Sequence, residues 1–294
     1  MVSKTCNQCP RLCGVDRTAG KTGYCGVPHE FVVARCAPHL WEEPPVSGAR
    51  GSGTVFFAGC NLRCVFCQNH TISHTPSGET LTHNELCERL LALQDEGVHN
   101  LNFVTPTHYT EPLIQLLTDL RPKLRVPVVW NSGGYESVDV LRRLDGLVDV
   151  YLPDFKYVSS DLSSKYSGAT DYADRATEAL SEMYRQTGKV CFDDDGLIRR
   201  GVIVRHLVLP GCREDSIRVL HRIAEAVPVS DVRLSLMSQY TPEFAKDCPY
   251  GNLHRRVTSF EYNAVLREAE ALGFEGYCQD RSSATDAFTP AFRS

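Results

Sequence analysis

The chain has 294 residues, 42% of them hydrophobic and 23% charged, which suits one large α/β domain with a small appendage. Its 31 Lys and Arg against 36 Asp and Glu leave a net charge of −5, so no overall basic surface for nucleic acid is implied. No apolar run reaches the length of a membrane helix, and the N-terminus MVSKTCNQCPRLCG has no apolar signal core, so the chain reads as cytoplasmic. Thirteen cysteines, an odd number, are better explained in a reducing compartment as metal ligands than as disulfides.

Residues 1–50 read as a separate cysteine-rich extension. Cys6, Cys9, Cys13 and Cys25 lie in CNQCPRLCGVDRTAGKTGYCG, with Cys36 beyond. Gly14, Gly20, Gly23 and Gly26 make the stretch turn-rich, and it is too short to bury a core of its own. A metal is the natural staple, either zinc or a second iron–sulfur cluster; the competing reading is a loop of reduced thiols packed on the main domain. Residues 38–53, PHLWEEPPVSGARGSG, have the Pro and Gly content of a connector.

The main domain, residues 51–294, opens with TVFFAGCNLRCVFCQNH. Val55 to Ala58 reads as a buried strand ended by Gly59, and Cys60, Cys64 and Cys67 follow in a C-x3-C-x2-C loop. Three thiolates bind three corners of a cubane cluster and leave one iron open, the mark of a catalytic metal site. A zinc site would need a fourth ligand, and His70 or His74 could supply it. Buried core cysteines would not need so tight a loop.

Strands and helices then alternate. A capping-box pattern, Thr82 to Glu85, opens a helix with Leu86, Leu90 and Leu93 on one face. Strands are predicted at 100–104, 126–130, 148–155, 202–209 and 232–237. Helices are predicted at 111–124, 138–147, 173–187, 214–226 and 258–272. Counted from Thr54, six strands alternate with helices. The fold class is therefore α/β, and six units suit a partial (βα)6 TIM-type barrel with the cysteine-rich extension attached. In such a barrel the chemistry sits at the C-terminal strand ends.

The cysteine spacing, with Phe66 before the third cysteine, resembles the radical S-adenosylmethionine (SAM) superfamily. The text CVFCQNH is similar to pyruvate formate-lyase activating enzymes and their relatives. The resemblance implies a [4Fe–4S] cluster on Cys60, Cys64 and Cys67, whose open iron chelates S-adenosylmethionine and cleaves it to a 5′-deoxyadenosyl radical that abstracts a hydrogen atom. It also implies a low-potential electron donor such as flavodoxin or ferredoxin and, for the activating type, a glycyl radical enzyme as partner. A small molecule, a peptide or RNA is an alternative target. Outside this superfamily stand a zinc-binding module without enzymatic activity and an electron-transfer protein without a cofactor site.

The strand ends supply candidates for S-adenosylmethionine. After the second strand comes VTPTHYTEP, where relatives place a glycine-rich turn with an acid; Thr105 or Thr107 could donate the needed oxygen, and Glu111 could be a displaced remnant of the acid. His108 reads equally well as an exposed loop residue. Asn131 and Ser132 end the third strand with side chains able to bond a ribose hydroxyl or carboxylate. Asp154 and Lys156, one residue apart, point to one face of a strand end, and the resemblance places a similar pair near the cofactor carboxylate. Arg205, in an otherwise apolar strand, calls for a partner and could hold a carboxylate bidentately. His206 on the opposite face reads as structural. The C-terminal DRSSATDAFTPAF reads as a polar loop, a candidate lid.

Overall fold

A computed structural model describes residues 5–278, so the candidate C-terminal lid lies outside the described residues. Among the described residues ten strands form one mixed sheet: β1 Phe31–His39, β2 Ser52–Phe57, β3 Glu79–Leu81, β4 Leu101–Val104, β5 Val128–Ser132, β6 Val150–Pro153, β7 Cys191–Phe192, β8 Ile198–Leu207, β9 Arg233–Met237 and β10 Gly276–Cys278. Strands β2, β4, β5, β6, β8, β9 and β10 run parallel in that order. The first six of these are the predicted strands. Helices connect them, as parallel neighbours require.

The predicted capping box at Thr82 is present, and a second stands at Thr258. The Thr82 and Thr258 side chains accept from the Glu85 and Glu261 amides, and each glutamate reaches back to the cap. They open the helices His83–Asp95 and Ser259–Ala271. The second predicted helix spans Thr110–Leu120, and the third shortens to Val138–Leu141 followed by a 3-10 turn. A helix at Ser160–Ser167, capped by Ser159, was not predicted; its sequence SDLSSKYS carries little apolar periodicity.

The extension contributes to the main sheet. Strand β1 pairs antiparallel with β2 from Val33↔Phe57 to His39↔Ser52, and β3 pairs on its far side. The connector then turns inward. Its short helix Pro44–Ser47 begins with the two prolines, which suit a first turn because they need no amide partner there. Val46 is fully buried against Val129, Val150, Leu152 and Ile203. Those four point to the same side of β5, β6 and β8 as Asn131, Asp154 and Arg205, two residues further up each strand. On these three strands the inward columns are thus apolar below, where Val46 packs, and polar at the top.

Side chains from β2 (Phe56), β4 (Val104), β5 (Asn131), β8 (Arg205) and β9 (Met237) line one cleft, so the sheet curls into a partial TIM-type barrel. Among the described residues no helix is long and apolar enough to cross a membrane.

Candidate active site

Strand β2 delivers the cysteine loop to the top of the barrel. Gly59 makes the exit possible: its φ is +79°, and a Cβ there would stand 2.5 Å from the Cys25 carbonyl oxygen. The loop is then tied down by backbone. Val65 N–H donates to the Tyr166 carbonyl at 2.9 Å, Gly59 N–H to Ile72 at 2.8 Å, and the Asn61 amide to the Tyr135 carbonyl at 2.6 Å.

Each of the three sulfurs has its own hydrogen-bond partner. Leu62 N–H donates to Cys60 Sγ at 3.3 Å, Ser167 Oγ lies 3.0 Å from Cys64 Sγ, and Ser73 Oγ lies 3.4 Å from Cys67 Sγ. Ser167 in turn meets the Tyr157 hydroxyl at 2.9 Å, and both are buried. A thiolate at Cys64 can only accept, so Ser167 then donates to it and accepts from Tyr157. Burial and the neighbouring Cys64 charge push the Cys67 thiol up to about 11, and Cys60 is raised by the same two causes. Thiolates are stable in this place only with a cation among them, so the donor set fits a positively charged metal group. Among the described residues no three Cys, His, Asp or Glu donors converge to the spacing of a single ion.

The cleft beside the loop encloses about 230 Å³. Cys64, Phe66 and Cys67 form one side. Opposite stands a partly buried ionic network. Asp154 accepts from Lys156 Nζ at 2.5 Å and from Arg205 Nε at 2.9 Å. Arg205 also donates to Asn131 Oδ1 at 2.6 Å and lies 3.6 Å from Glu42. Burial opposes ionisation of Asp154, but Arg205 and Lys156 outweigh it and hold its carboxyl below the usual range. Burial likewise opposes charge on Lys156, and Asp154 outweighs it, so the ammonium is held. Glu42 has weaker compensation: burial, only partly offset by Arg205, pushes it up to about 7.

Of the residues singled out in the sequence, Phe66, Asn131, Asp154, Lys156 and Arg205 meet Cys64 and Cys67 at this cleft, and Cys60 stands close enough to feel Lys156. Ser132 does not join them. It points to the other face of β5, where its hydroxyl accepts the Gly134 N–H at 3.3 Å, as strand alternation requires once Asn131 faces inward. Thr105 is also off the cleft wall. It takes a left-handed φ of +57°, rare for a β-branched residue. Thr107 bonds buried Glu136 at 2.8 Å, and Glu111 pairs with Arg143 on an outer helix, so neither reaches the cleft. His108 is buried, not exposed: it bonds the Ala58 carbonyl, and burial with Arg17 nearby lowers it to about 3. His206 is structural, held by the Phe155 carbonyl at 2.7 Å. Gln239 lines the cleft, while the Tyr240 hydroxyl donates to the Leu253 carbonyl.

Several cleft residues were missed in the sequence, Gln68, Leu207 and Leu209 among them. His39, Trp41 and Glu42 come from the segment read as a connector. Glu42 accepts from Asn102 at 3.1 Å and Asn131 at 3.3 Å. The available signal was an acidic pair placed directly before Pro44-Pro45, where a solvated linker gains nothing from Trp41.

The cysteine groups of the extension lie nearby. Cys9 and Cys25 are buried, and the charges of Cys6 and Cys13 bear on both.

Known proteins can now be set beside this geometry. Across 281 residues the chain is 29% identical to an uncharacterised protein of Methanocaldococcus jannaschii, covering 92% of this chain and 75% of that one. Its fold is similar to a radical SAM methyltransferase from Sphaerobacter thermophilus, with a TM-score of 0.52 at 16% identity over 77% of this chain; the chain spans 65% of that protein's length. It is also similar to a mutant spore photoproduct lyase with bound AdoMet and dinucleoside spore photoproduct, with a TM-score of 0.54 at 11% identity, covering 84% of this chain and 79% of the other. Residues 54–218, more than half of the chain, match the family described as the Radical SAM superfamily, which implies a [4Fe–4S] cluster and S-adenosylmethionine. With the cysteine loop at the top of a partial parallel barrel, the chain belongs to the radical SAM superfamily.

Proposed function

We propose that Cys60, Cys64 and Cys67 hold the [4Fe–4S] cluster and that the cleft between them and Asp154, Lys156, Arg205 and Asn131 binds S-adenosylmethionine for hydrogen-atom abstraction. The observation that carries this reading is convergence: polar residues from the ends of β5, β6 and β8 and the cysteine loop meet in one cleft. When bound, the reduced cluster supplies the electron that cleaves the sulfonium of S-adenosylmethionine to a 5′-deoxyadenosyl radical. The chain's own part is to bind, orient and keep out water. Lys156 and Arg205 are fixed as cations by Asp154, and their remaining N–H groups suit a carboxylate. The Asn131 amide suits a ribose hydroxyl. Phe56, Phe66, Val104 and Met237 wall the cleft with apolar surface, which protects a reactive species from solvent.

The target of the hydrogen abstraction is open to narrower readings. Activation of a glycyl radical enzyme has its support in the text CVFCQNH, and a glycine Cα suits because its radical is delocalised across the amide. Phe66 and Asn69 of that text face the cleft.

The test is anaerobic reconstitution with iron and sulfide, followed by electron paramagnetic resonance of the reduced protein with and without S-adenosylmethionine. The expected result is a cluster signal that changes on adding S-adenosylmethionine, 5′-deoxyadenosine among the products, and loss of the signal in Cys64→Ala. A signal indifferent to S-adenosylmethionine would overturn the reading.

A further inference from the structure

The extension carries a second set of thiols that the cleft does not use. Its backbone is folded into tight turns. Leu12 N–H donates to the Cys9 carbonyl, Gly14 N–H to Cys6, and Gly26 N–H to Gly23. Leu12, between Cys9 and Cys13, takes a left-handed φ of +44°, a conformation that costs a non-glycine residue ~1–3 kcal/mol and needs something to hold it.

These turns aim amides at sulfur. The Arg11 N–H points at Cys9, the Val27 N–H at Cys25, and the Tyr24 N–H donates to Cys13 Sγ at 3.3 Å. The first two donors stand two residues after their cysteine. The cluster loop uses the same offset, Leu62 to Cys60 and Asn69 to Cys67. Amides aimed at sulfur are the outer donors that orient thiol ligands at a metal centre. Four thiolates in a half-buried turn are costly without a cation, and the guanidinium nearest to Cys25 is already engaged: Arg17 donates to the Pro28 and His108 carbonyls.

We infer that Cys6, Cys9, Cys13 and Cys25 bind a metal centre through four thiolates. The chemistry is that of a soft-donor tetrathiolate site, which zinc and an iron–sulfur cluster share. Their sulfurs are not drawn to the spacing of one ion, but neither are those of Cys60, Cys64 and Cys67, so that spacing does not separate the two groups.

The second centre has a job within reach. The Cys25 carbonyl packs against Gly59. The guanidinium of Arg11 donates to the Asn61 carbonyl at 2.8 Å and the Gly168 carbonyl at 2.6 Å, and Arg63 returns a bond to the Tyr24 carbonyl at 3.2 Å. A metal that fixes these turns therefore fixes the first residues of the cluster loop.

This inference does not rest on the cleft's proposed function, and its test removes that cluster. The full chain carrying Cys60→Ala, Cys64→Ala and Cys67→Ala is purified anaerobically and assayed for zinc, iron and acid-labile sulfide. The expected result is one retained metal centre per chain, zinc alone or iron with sulfide, lost on adding Cys9→Ala and Cys25→Ala. Metal-free protein, or metal indifferent to those two changes, would overturn the inference. Since the variants could misfold, the unaltered protein is also alkylated with and without a strong chelator and read by mass spectrometry, with exposed Cys191 as the fast control. Protection of Cys6, Cys9, Cys13 and Cys25 that the chelator abolishes supports the site. Equal labelling in both conditions sinks it.

Discussion

The two cysteine groups share a local device and differ in what surrounds them. Both turn backbone amides toward sulfur. The group of Cys60, Cys64 and Cys67 sits at a strand end, backed by the sheet, with one side facing a cleft lined by ions. The group of Cys6, Cys9, Cys13 and Cys25 has four members held in turns, and of these only Cys6 lines a cavity, one of about 200 Å³ that Arg17 and Arg143 share. A set of three thiols beside a cavity leaves room for a further ligand; a set of four in a turn is closed. The contrast separates a site where chemistry can happen from one that holds shape.

Gly59 is where the two groups touch, and breaking that joint should have the largest effect. Gly59→Ala places a Cβ against the Cys25 carbonyl in a left-handed backbone. The two penalties together are on the order of 5 kcal/mol. Thermal unfolding is expected to drop accordingly and thiol protection to weaken at both groups. A loss confined to one group would show that they are uncoupled. Asp154→Asn acts on the open site alone. It leaves Lys156 and Arg205 without their shared carboxylate in a largely buried place, at a cost of about 4 kcal/mol by denaturant unfolding, with protection of Cys6, Cys9, Cys13 and Cys25 unchanged.

Glu42 sharpens the comparison by pH. Its folded value of about 7 lies above the 4.5 of an unperturbed glutamate, so between those values the folded state holds a proton that the unfolded state has released. Stability is therefore lost as pH rises through that window, by on the order of 3 kcal/mol for this group. His39 and His108, lowered to about 4 and about 3, act in the opposite direction, because stability they contribute grows as pH rises. The difference between wild type and Glu42→Gln cancels the histidines. That difference curve should fall with pH between 4.5 and 7; a flat curve would remove Glu42 from the electrostatics of the cleft.

The smallest effect is expected from Ser167→Ala. It removes the one hydroxyl at Cys64 and leaves the Tyr157 hydroxyl short of a partner, costing about 1 kcal/mol. Fewer hydrogen bonds to a cluster sulfur make reduction harder, so the reconstituted midpoint potential should move negative while metal retention at the second group stays the same.

Much of the cleft was legible because its residues follow the period of two along strands. Asp154 and Lys156 could be paired from their spacing, and Arg205 stood out as a charge in an apolar strand. The same period, applied once more, would have sent Ser132 outward when Asn131 was taken as inward. What stayed hidden depends on long-range pairing. The sequence FVVARCAPH of β1 alternates poorly, with Pro38 near its end, and becomes a strand only because β2 lies beside it. Val46 and Glu42 look like linker residues until the barrel exists to enclose them. The left-handed backbone at Thr105 is set by its place at the end of β4, where its N–H donates to the Asn131 carbonyl, and no local preference announces it.

The plug around Val46 has a consequence for assembly. Pro45, Val46 and Ser47 leave the ribosome before β4, β5, β6 and β8, yet end up buried, with Val46 on the inner face of the last three. The strands must wrap around a segment already present, as a hand closes on a handle. Freed N-terminal residues added after the barrel has closed are therefore expected to dock poorly, whereas the same residues present during refolding should template the lumen they fill.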